Sequence, residues 1–135
     1  NSVIYRLEGD TLSLWVRDPE LRSPNGLCVD GGRLVVGNSG DGTLKSIALA
    51  DGAVSDLVTI GSSIDGVRID ARGNYLVSDW SGRTLLVEPS GMITILLDTS
   101  ARKINAADIE FIPGEDLLLI PTFYDNRVFA GRIVY

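Results

Sequence analysis

The apolar positions of this chain fall in short runs, rich in Val, Ile and Leu and broken by glycine-bearing turns. Runs of four to eight such residues, many of them alternating with polar ones, predict β-strands. LCVD (27–30), RLVVGN (33–38), TLKSIAL (43–49) and AVSDLVTI (53–60) read as four strands, with turns at GG, SGDG and ADG. VRID (67–70), NYLVSD (74–79), TLLVEP (84–89) and MITILLD (92–98) read as four more. No segment carries a convincing helical period. The best helical candidate is TSARKINAADIE (99–110), and its place where the next unit should begin predicts a loop.

These two sets of strands are one unit written twice. SPNGLCVD (23–30) matches SIDGVRID (63–70), with Gly26 and Gly66 forty residues apart. GRLVVGNSGDGTLKSIAL (32–49) aligns with GNYLVSDWSGRTLLVEPS (73–90) at a shift of 41, which sets Thr43 on Thr84 and Asn38 on Asp79. A more divergent third copy, ADIEFIPGEDLLLIPTFYDNRVFAG, starts at Ala107; it sets Ile109 42 residues after Val67 and Phe123 43 residues after Trp80. Four short strands in about 40 residues, repeated, are the signature of a β-propeller blade. The predicted fold is therefore all-β, a propeller of four-stranded antiparallel blades with about three blades present. Residues 3–22 read as the last two strands of a blade, 23–61 as a blade, 62–104 as a blade plus loop, and 105–135 as a three-stranded final blade. An open arc of this kind exposes blade faces and strand edges. Closure is expected to need another chain or a missing N-terminal half.

In such a fold the connection entering an innermost strand and the connection between strands two and three lie on one face. That places Asn25 and Asp65 at the mouth of the central channel, with Asn38, Asp79, Trp80, Thr122, Phe123 and Tyr124 further out. Asp30 and Asp70 fall on the opposite face, as turn-forming side chains. Corresponding positions on neighbouring blades converge near the axis, so the Asn25 amide and the Asp65 carboxylate form half of a hard-cation site of the kind Ca²⁺ takes. The third copy has Ala107 at this position and Asp108 in place of the glycine, and offers no matching ligand. Two plainer readings stay open. Asn-Gly and Asp-Gly are common turn dipeptides, and Trp80 and Phe123 also suit packing between blades.

Composition narrows the chemistry. The chain has no histidine, which removes Ser-His-Asp and Cys-His nucleophile systems and every histidine-bearing zinc site. A net charge of −6 without a basic cluster argues against nucleic acid and polybasic membrane attachment as partners. No apolar stretch is long enough for a membrane span. The first ten residues have neither a basic start nor an apolar run, so no secretion signal is read there, and the compartment stays open. The single Cys28 lies in strand-like alternation and reads as packing. The arginines are scattered and read as solvated surface.

SPNGLCVD, SIDGVRID, YLVSDWSGRTLLVEPSG and ADIEFIPGEDLLLIPTFYDNRV resemble the C-terminal half of the SMP-30/gluconolactonase/LRE-like propellers. The resemblance covers nearly the whole chain and implies half of a six-bladed propeller with a divalent cation, most often Ca²⁺, in its channel. It implies hydrolysis of a small sugar lactone or related ester. Asn25 matches the Asn of the family's PNG motif. Asp65 matches the Asp of its DG motif, a cation ligand and the proton acceptor for water. The family's ligand Glu from early in the propeller has no counterpart here, so the site is expected to be incomplete in this chain alone. Trp80, Phe123 and Tyr124 are the candidate substrate-binding residues. The rival expectation is a non-catalytic NHL-like propeller that binds a ligand or protein at the channel mouth.

Overall fold

The computed structural model describes residues 2–135. Its strands are β1 (Ile4–Glu8), β2 (Thr11–Val16), β3 (Pro24–Asp30), β4 (Arg33–Asn38), β5 (Thr43–Ala48), β6 (Val54–Thr59), β7 (Ile64–Ile69), β8 (Tyr75–Asp79), β9 (Arg83–Val87), β10 (Ile93–Asp98), β11 (Glu110–Ile112), β12 (Leu117–Pro121) and β13 (Val128–Arg132). They form a two-stranded sheet β1–β2, two four-stranded sheets β3–β6 and β7–β10, and a three-stranded sheet β11–β13. Within each sheet sequential neighbours pair antiparallel, and this is the strand count the repeat predicts. Residues 99–109 are a loop with one 3₁₀ turn at Ser100–Arg102, as expected. Among the described residues no helix is long and apolar enough to cross a membrane.

The near-continuous apolar runs follow from burial on both faces of the middle strands. In β4, Val35 packs toward the second four-stranded sheet, while its neighbour Val36 packs toward β1–β2 with Ile4, Val16 and Ile47. In β8, Val77 faces the first four-stranded sheet and Leu76 faces the third repeat, with Ile109, Phe111 and Leu118. β9 repeats the division with Leu85 and Leu86. Each such side chain contributes roughly 1.5–3 kcal/mol by leaving water. The result is a row of sheets stacked face to face, with one apolar layer in each gap.

The innermost strands β3, β7 and β11 lie side by side at one end of this stack. Two glycines permit that approach. A Cβ on Gly26 would stand 2.7 Å from the backbone nitrogen of Val67, and one on Gly66 would stand 2.6 Å from that of Ile109. Neither glycine is in the left-handed region, and both lie within strands. The turn reading of the Asn-Gly and Asp-Gly pairs is thus replaced by a packing requirement.

Polar clasps tie the sheets together away from the mouth. The Tyr75 hydroxyl of β8 donates to Asp30 Oδ2 at the end of β3 (2.7 Å), and Arg33 donates to the same oxygen. Asp70 does form a turn, accepting from the backbone nitrogens of Arg72 and Asn74, but it also accepts from the Tyr135 hydroxyl at 2.8 Å. The Arg72 guanidinium covers the Tyr135 ring at 3.7 Å. Asp30 and Asp70 are therefore more than turn formers, and several arginines expected on open surface are engaged: Arg33 with Asp30, Arg83 with Asp79, and Arg68 with Glu110. Lys45 of β5 is buried, with its ammonium against Asp56 and within 3.9 Å of Glu20 and Asp41.

Hydrogen bonds from Tyr75 and then Arg33 hold the Asp30 carboxyl below its ordinary value of 3.8, while burial and Asp30 push the Tyr75 hydroxyl up to about 12. The stabilisation from Asp30 is full above 3.8 and is lost as pH falls through its lower folded value. Tyr75→Phe should cost about 1 kcal/mol near neutral pH. In denaturant titrations its deficit against the parent should shrink in strong acid. Gly66→Ala should cost roughly 1–3 kcal/mol, because the added methyl meets backbone of the next sheet; thermal unfolding measures it directly.

Candidate site at the channel mouth

The site begins with two bulges. In the β3–β4 pairing Pro24 faces Asn38 and Leu27 faces Val36, so Asn25 and Gly26 share the space opposite Gly37. In the β7–β8 pairing Ile64 faces Asp79 and Val67 faces Val77, so Asp65 and Gly66 share the space opposite Ser78. An extra residue in one strand bends it and re-aims its side chain. Here the two bulges turn Asn25 and Asp65 toward each other, and Asn25 Nδ2 donates to Asp65 Oδ1 at 2.9 Å. Asn25 is exposed and Asp65 half-buried. Among the described residues, neither Asn25 Oδ1 nor Asp65 Oδ2 has a hydrogen-bond partner.

Serines missed by the sequence reading brace these bulges. The Ser78 hydroxyl accepts from the Gly66 nitrogen at 2.8 Å and donates to the Ala107 carbonyl at 2.6 Å, joining β7 to the third repeat. The Ser39 hydroxyl donates to the Ile64 carbonyl, joining the first full blade to the second. Nothing in the spacing of these serines sets them apart in the sequence.

The third repeat brings the Asp108 carboxylate close to this place. Asp108 has an oxygen 2.7 Å from where a Cβ on Gly66 would stand, and its Oδ1 accepts from its neighbour's nitrogen, Ile109, at 3.0 Å. Arg68 partners it, with 3.5 Å from guanidinium to Asp108 Oδ2. Burial raises the Asp65 pKa, repulsion from Asp108 raises it further, and the Asn25 hydrogen bond opposes both.

The expected aromatic residues come together as one cluster. Trp80 and Phe123 have ring centroids 5.3 Å apart, Phe123 and Tyr124 4.9 Å, and Trp80 and Tyr124 6.2 Å, in tilted and edge-on arrangements. Phe123 is 61% exposed and Tyr124 73%. The Trp80 backbone nitrogen donates to the Ser63 carbonyl at 2.9 Å, two residues before Asp65, which ties the cluster to the same rim. Asn105 Nδ2 donates to the Trp80 carbonyl at 2.9 Å.

Other polar residues expected at the mouth are consumed by the backbone. Asn38 is buried, accepts from the Arg22 nitrogen and donates to the Glu20 carbonyl and Asp41. Asp79 is buried, accepts from the Ser81 nitrogen at 2.6 Å and pairs with Arg83. Thr122 exchanges hydrogen bonds with the Arg127 backbone and closes its own loop. Cys28, half-buried in β3, has its thiol pushed up to about 11 by burial and then by Asp30, which keeps it protonated and unreactive.

The free donors are an amide oxygen and a carboxylate oxygen, both hard, and they suit Ca²⁺ or Mg²⁺ rather than softer metals. Two donors are a minority of the six to eight that Ca²⁺ takes. Among the described residues no group of three or more His, Cys, Asp or Glu side chains is placed to hold a metal ion. The donor set therefore fits a divalent cation in kind and falls short of it in number.

No family model matches the sequence, and no curated protein matches it. Solved structures do match. A provisionally named gluconolactonase is 26% identical, with a TM-score of 0.71 over 95% of this chain and 44% of its own. A gluconolactonase from Xanthomonas campestris is 22% identical, with a TM-score of 0.71 over 89% of this chain and 41% of its own. Regucalcin from Agrobacterium tumefaciens, a calcium-binding protein, is 17% identical, with a TM-score of 0.65 over 87% of this chain and 43% of its own. Virginiamycin B lyases and a luciferin-regenerating enzyme share the fold at lower identity. The resemblance read from the sequence is borne out in these neighbours: over nearly its whole length the chain has the all-β propeller fold of the gluconolactonase and regucalcin structures, and it spans less than half of each.

Proposed function

We propose that this chain is part of a metal-dependent, lactonase-like propeller that hydrolyses a small sugar lactone or related ester. The observation that carries this reading is the Asn25–Asp65 contact at 2.9 Å, made by matching bulges on adjacent innermost strands. Asn25 Oδ1 and the Asp65 carboxylate would hold the cation, Ca²⁺ in line with the calcium binding of the regucalcin neighbour. Closure of the ring, by another chain or by the rest of the propeller, would supply further oxygen donors. When bound, the cation supplies a Lewis acid that polarises the lactone carbonyl and steadies the developing oxyanion.

Asp65 takes the proton of the attacking water. It must be ionised to serve; in the metal-free chain burial and then the Asp108 charge raise its pKa, and a cation on the carboxylate would oppose that rise. Asn25 fixes the carboxylate's orientation through its amide NH₂. Trp80, Phe123 and Tyr124 offer ring faces for the C–H side of a sugar and one phenolic hydroxyl at its edge.

A second reading is a non-catalytic propeller that binds a ligand or protein on the same aromatic cluster. The strong exposure of Phe123 and Tyr124, with two free oxygen donors at the Asn25–Asp65 contact among the described residues, favours it. Calorimetric titration of the completed ring with CaCl₂ separates the two. The first reading expects binding that weakens at least about tenfold in Asp65→Asn and Asn25→Ala, with lactone turnover lowered about 10²-fold in Asp65→Asn. Absent calcium affinity with turnover at background leaves the binding module. In the metal-free protein, Asp108→Asn should move the Asp65 carboxyl titration to lower pH, because a like charge beside it has gone; ¹³C NMR of that carboxyl reads the shift.

A further inference from the structure

The Asn25–Asp65 contact has a further carboxylate beside it that the repeat does not call for. Asp108 follows Ala107, the counterpart of Asp65, and stands in the glycine position of the third repeat. The backbone leading into it is pinned: the Ala107 nitrogen donates to the Pro121 carbonyl at 3.0 Å, and the Ala107 carbonyl accepts from Ser78 at 2.6 Å. The Asp108 side chain is 63% exposed and can turn about that fixed base. One of its oxygens lies 2.7 Å from where a Cβ on Gly66 would stand, so no side chain at position 66 separates it from the bulge that carries Asp65. The Asp108 charge acts on Asp65 across this space.

Arg68 draws this carboxylate aside, and it does so loosely. Its guanidinium faces two carboxylates. Nε donates to both oxygens of Glu110 at 3.2 Å, and one terminal nitrogen donates to the Val67 carbonyl at 2.8 Å. The other terminal nitrogen is 3.5 Å from Asp108 Oδ2, longer than an ordinary hydrogen bond. An exposed pair of this kind is weak. Asp108 can leave it without stranding Arg68, which keeps Glu110. The other contact of Asp108 is local, from the Ile109 nitrogen to Oδ1 at 3.0 Å. The first full blade has Cys28 at the register of Arg68, so the guanidinium is no part of the repeated plan.

We propose that Asp108 is a mobile third oxygen donor for the cation that Asn25 and Asp65 hold, drawn toward Arg68 in the metal-free chain and released to the cation when it binds. This rests on the metal-dependent reading above and adds a residue to it. Asn25 Oδ1, Asp65 and Asp108 then give three hard donors from three successive repeats, two of them charged. Affinity for Ca²⁺ is tuned by the number of charged ligands and by how rigidly they are held. Arg68 is a positioning residue: it steers Asp108 away from Asp65 and stays with Glu110 when Asp108 leaves.

The test is calorimetric titration of the completed ring with CaCl₂, in about 0.1 M and about 0.5 M KCl. Asp108→Asn should weaken binding about tenfold or more at both salt concentrations. The Asp108 carboxyl, followed by ¹³C NMR, should shift on saturation with calcium, and that of Glu110 should move less. Arg68→Gln removes the competitor and should tighten binding roughly threefold or more. Unchanged affinity in Asp108→Asn overturns the proposal. So does a deficit that vanishes in the higher salt with the Asp108 carboxyl unmoved, because the residue then acts only as a distant charge. Should Asp108→Asn fail to fold, Arg68→Gln decides: tighter binding with a shifted Asp108 carboxyl supports the proposal, and unchanged or weaker binding overturns it. A ring that binds no calcium overturns this inference together with the metal-dependent reading. Binding lost in Asp65→Asn and kept in full by Asp108→Asn overturns this inference alone.

Discussion

The structure depends on how closely three strands can approach. β3, β7 and β11 come near enough that a methyl group on Gly26 or Gly66 would collide with the neighbouring backbone. That approach sets the spacing of the sheets, and the spacing brings the bulges of β3 and β7 within one hydrogen bond of each other. The residue before each glycine then lies where its side chain can reach across the gap at the mouth. Asn25 and Asp65 meet because the positions after them are glycines. The same constraint governs the third repeat from the other side. Asp108 occupies the glycine position, and its side chain reaches toward Gly66.

Most of the architecture was legible in the sequence, for a physical reason. Strands buried on both faces cannot hide their apolar character, and a unit repeated at about forty residues fixes strand count and order even where one copy has drifted. The convergence of Asn25 with Asp65, and of Trp80 with Phe123 and Tyr124, followed from the same register. The failures share a cause as well. Asn38, Asp79 and Thr122 sit on the expected face, but side-chain type does not reveal whether a nearby backbone group will claim it, and here it does. Asp108 was discounted because it falls one position away from Asn25 and Asp65 in the alignment, a distinction that a bulge erases. Lys45 gave no signal at all. A lysine in a strand reads as solvent-facing until the carboxylates of Asp56, Asp41 and Glu20 are seen around it.

Fold and chemistry separate at the mouth. Neighbours with this fold include proteins named as gluconolactonases and as lyases, so the sheet stack by itself selects no reaction. What is distinctive is local: an amide and a carboxylate with one free oxygen each among the described residues, a second carboxylate paired with Arg68, and an aromatic rim. These are hard donors, and they are fewer than the six to eight that Ca²⁺ takes.

The division of adjacent residues between different gaps has a mechanical consequence. Val35 and Val36 are neighbours along β4 but belong to separate apolar layers, as do Leu76 with Val77 and Leu85 with Leu86. No residue anchors the whole molecule, and each joint is held by its own layer, so cooperativity passes only between adjoining sheets. Damage in one gap should barely weaken the next, and the stack can open at one joint while the others stay shut.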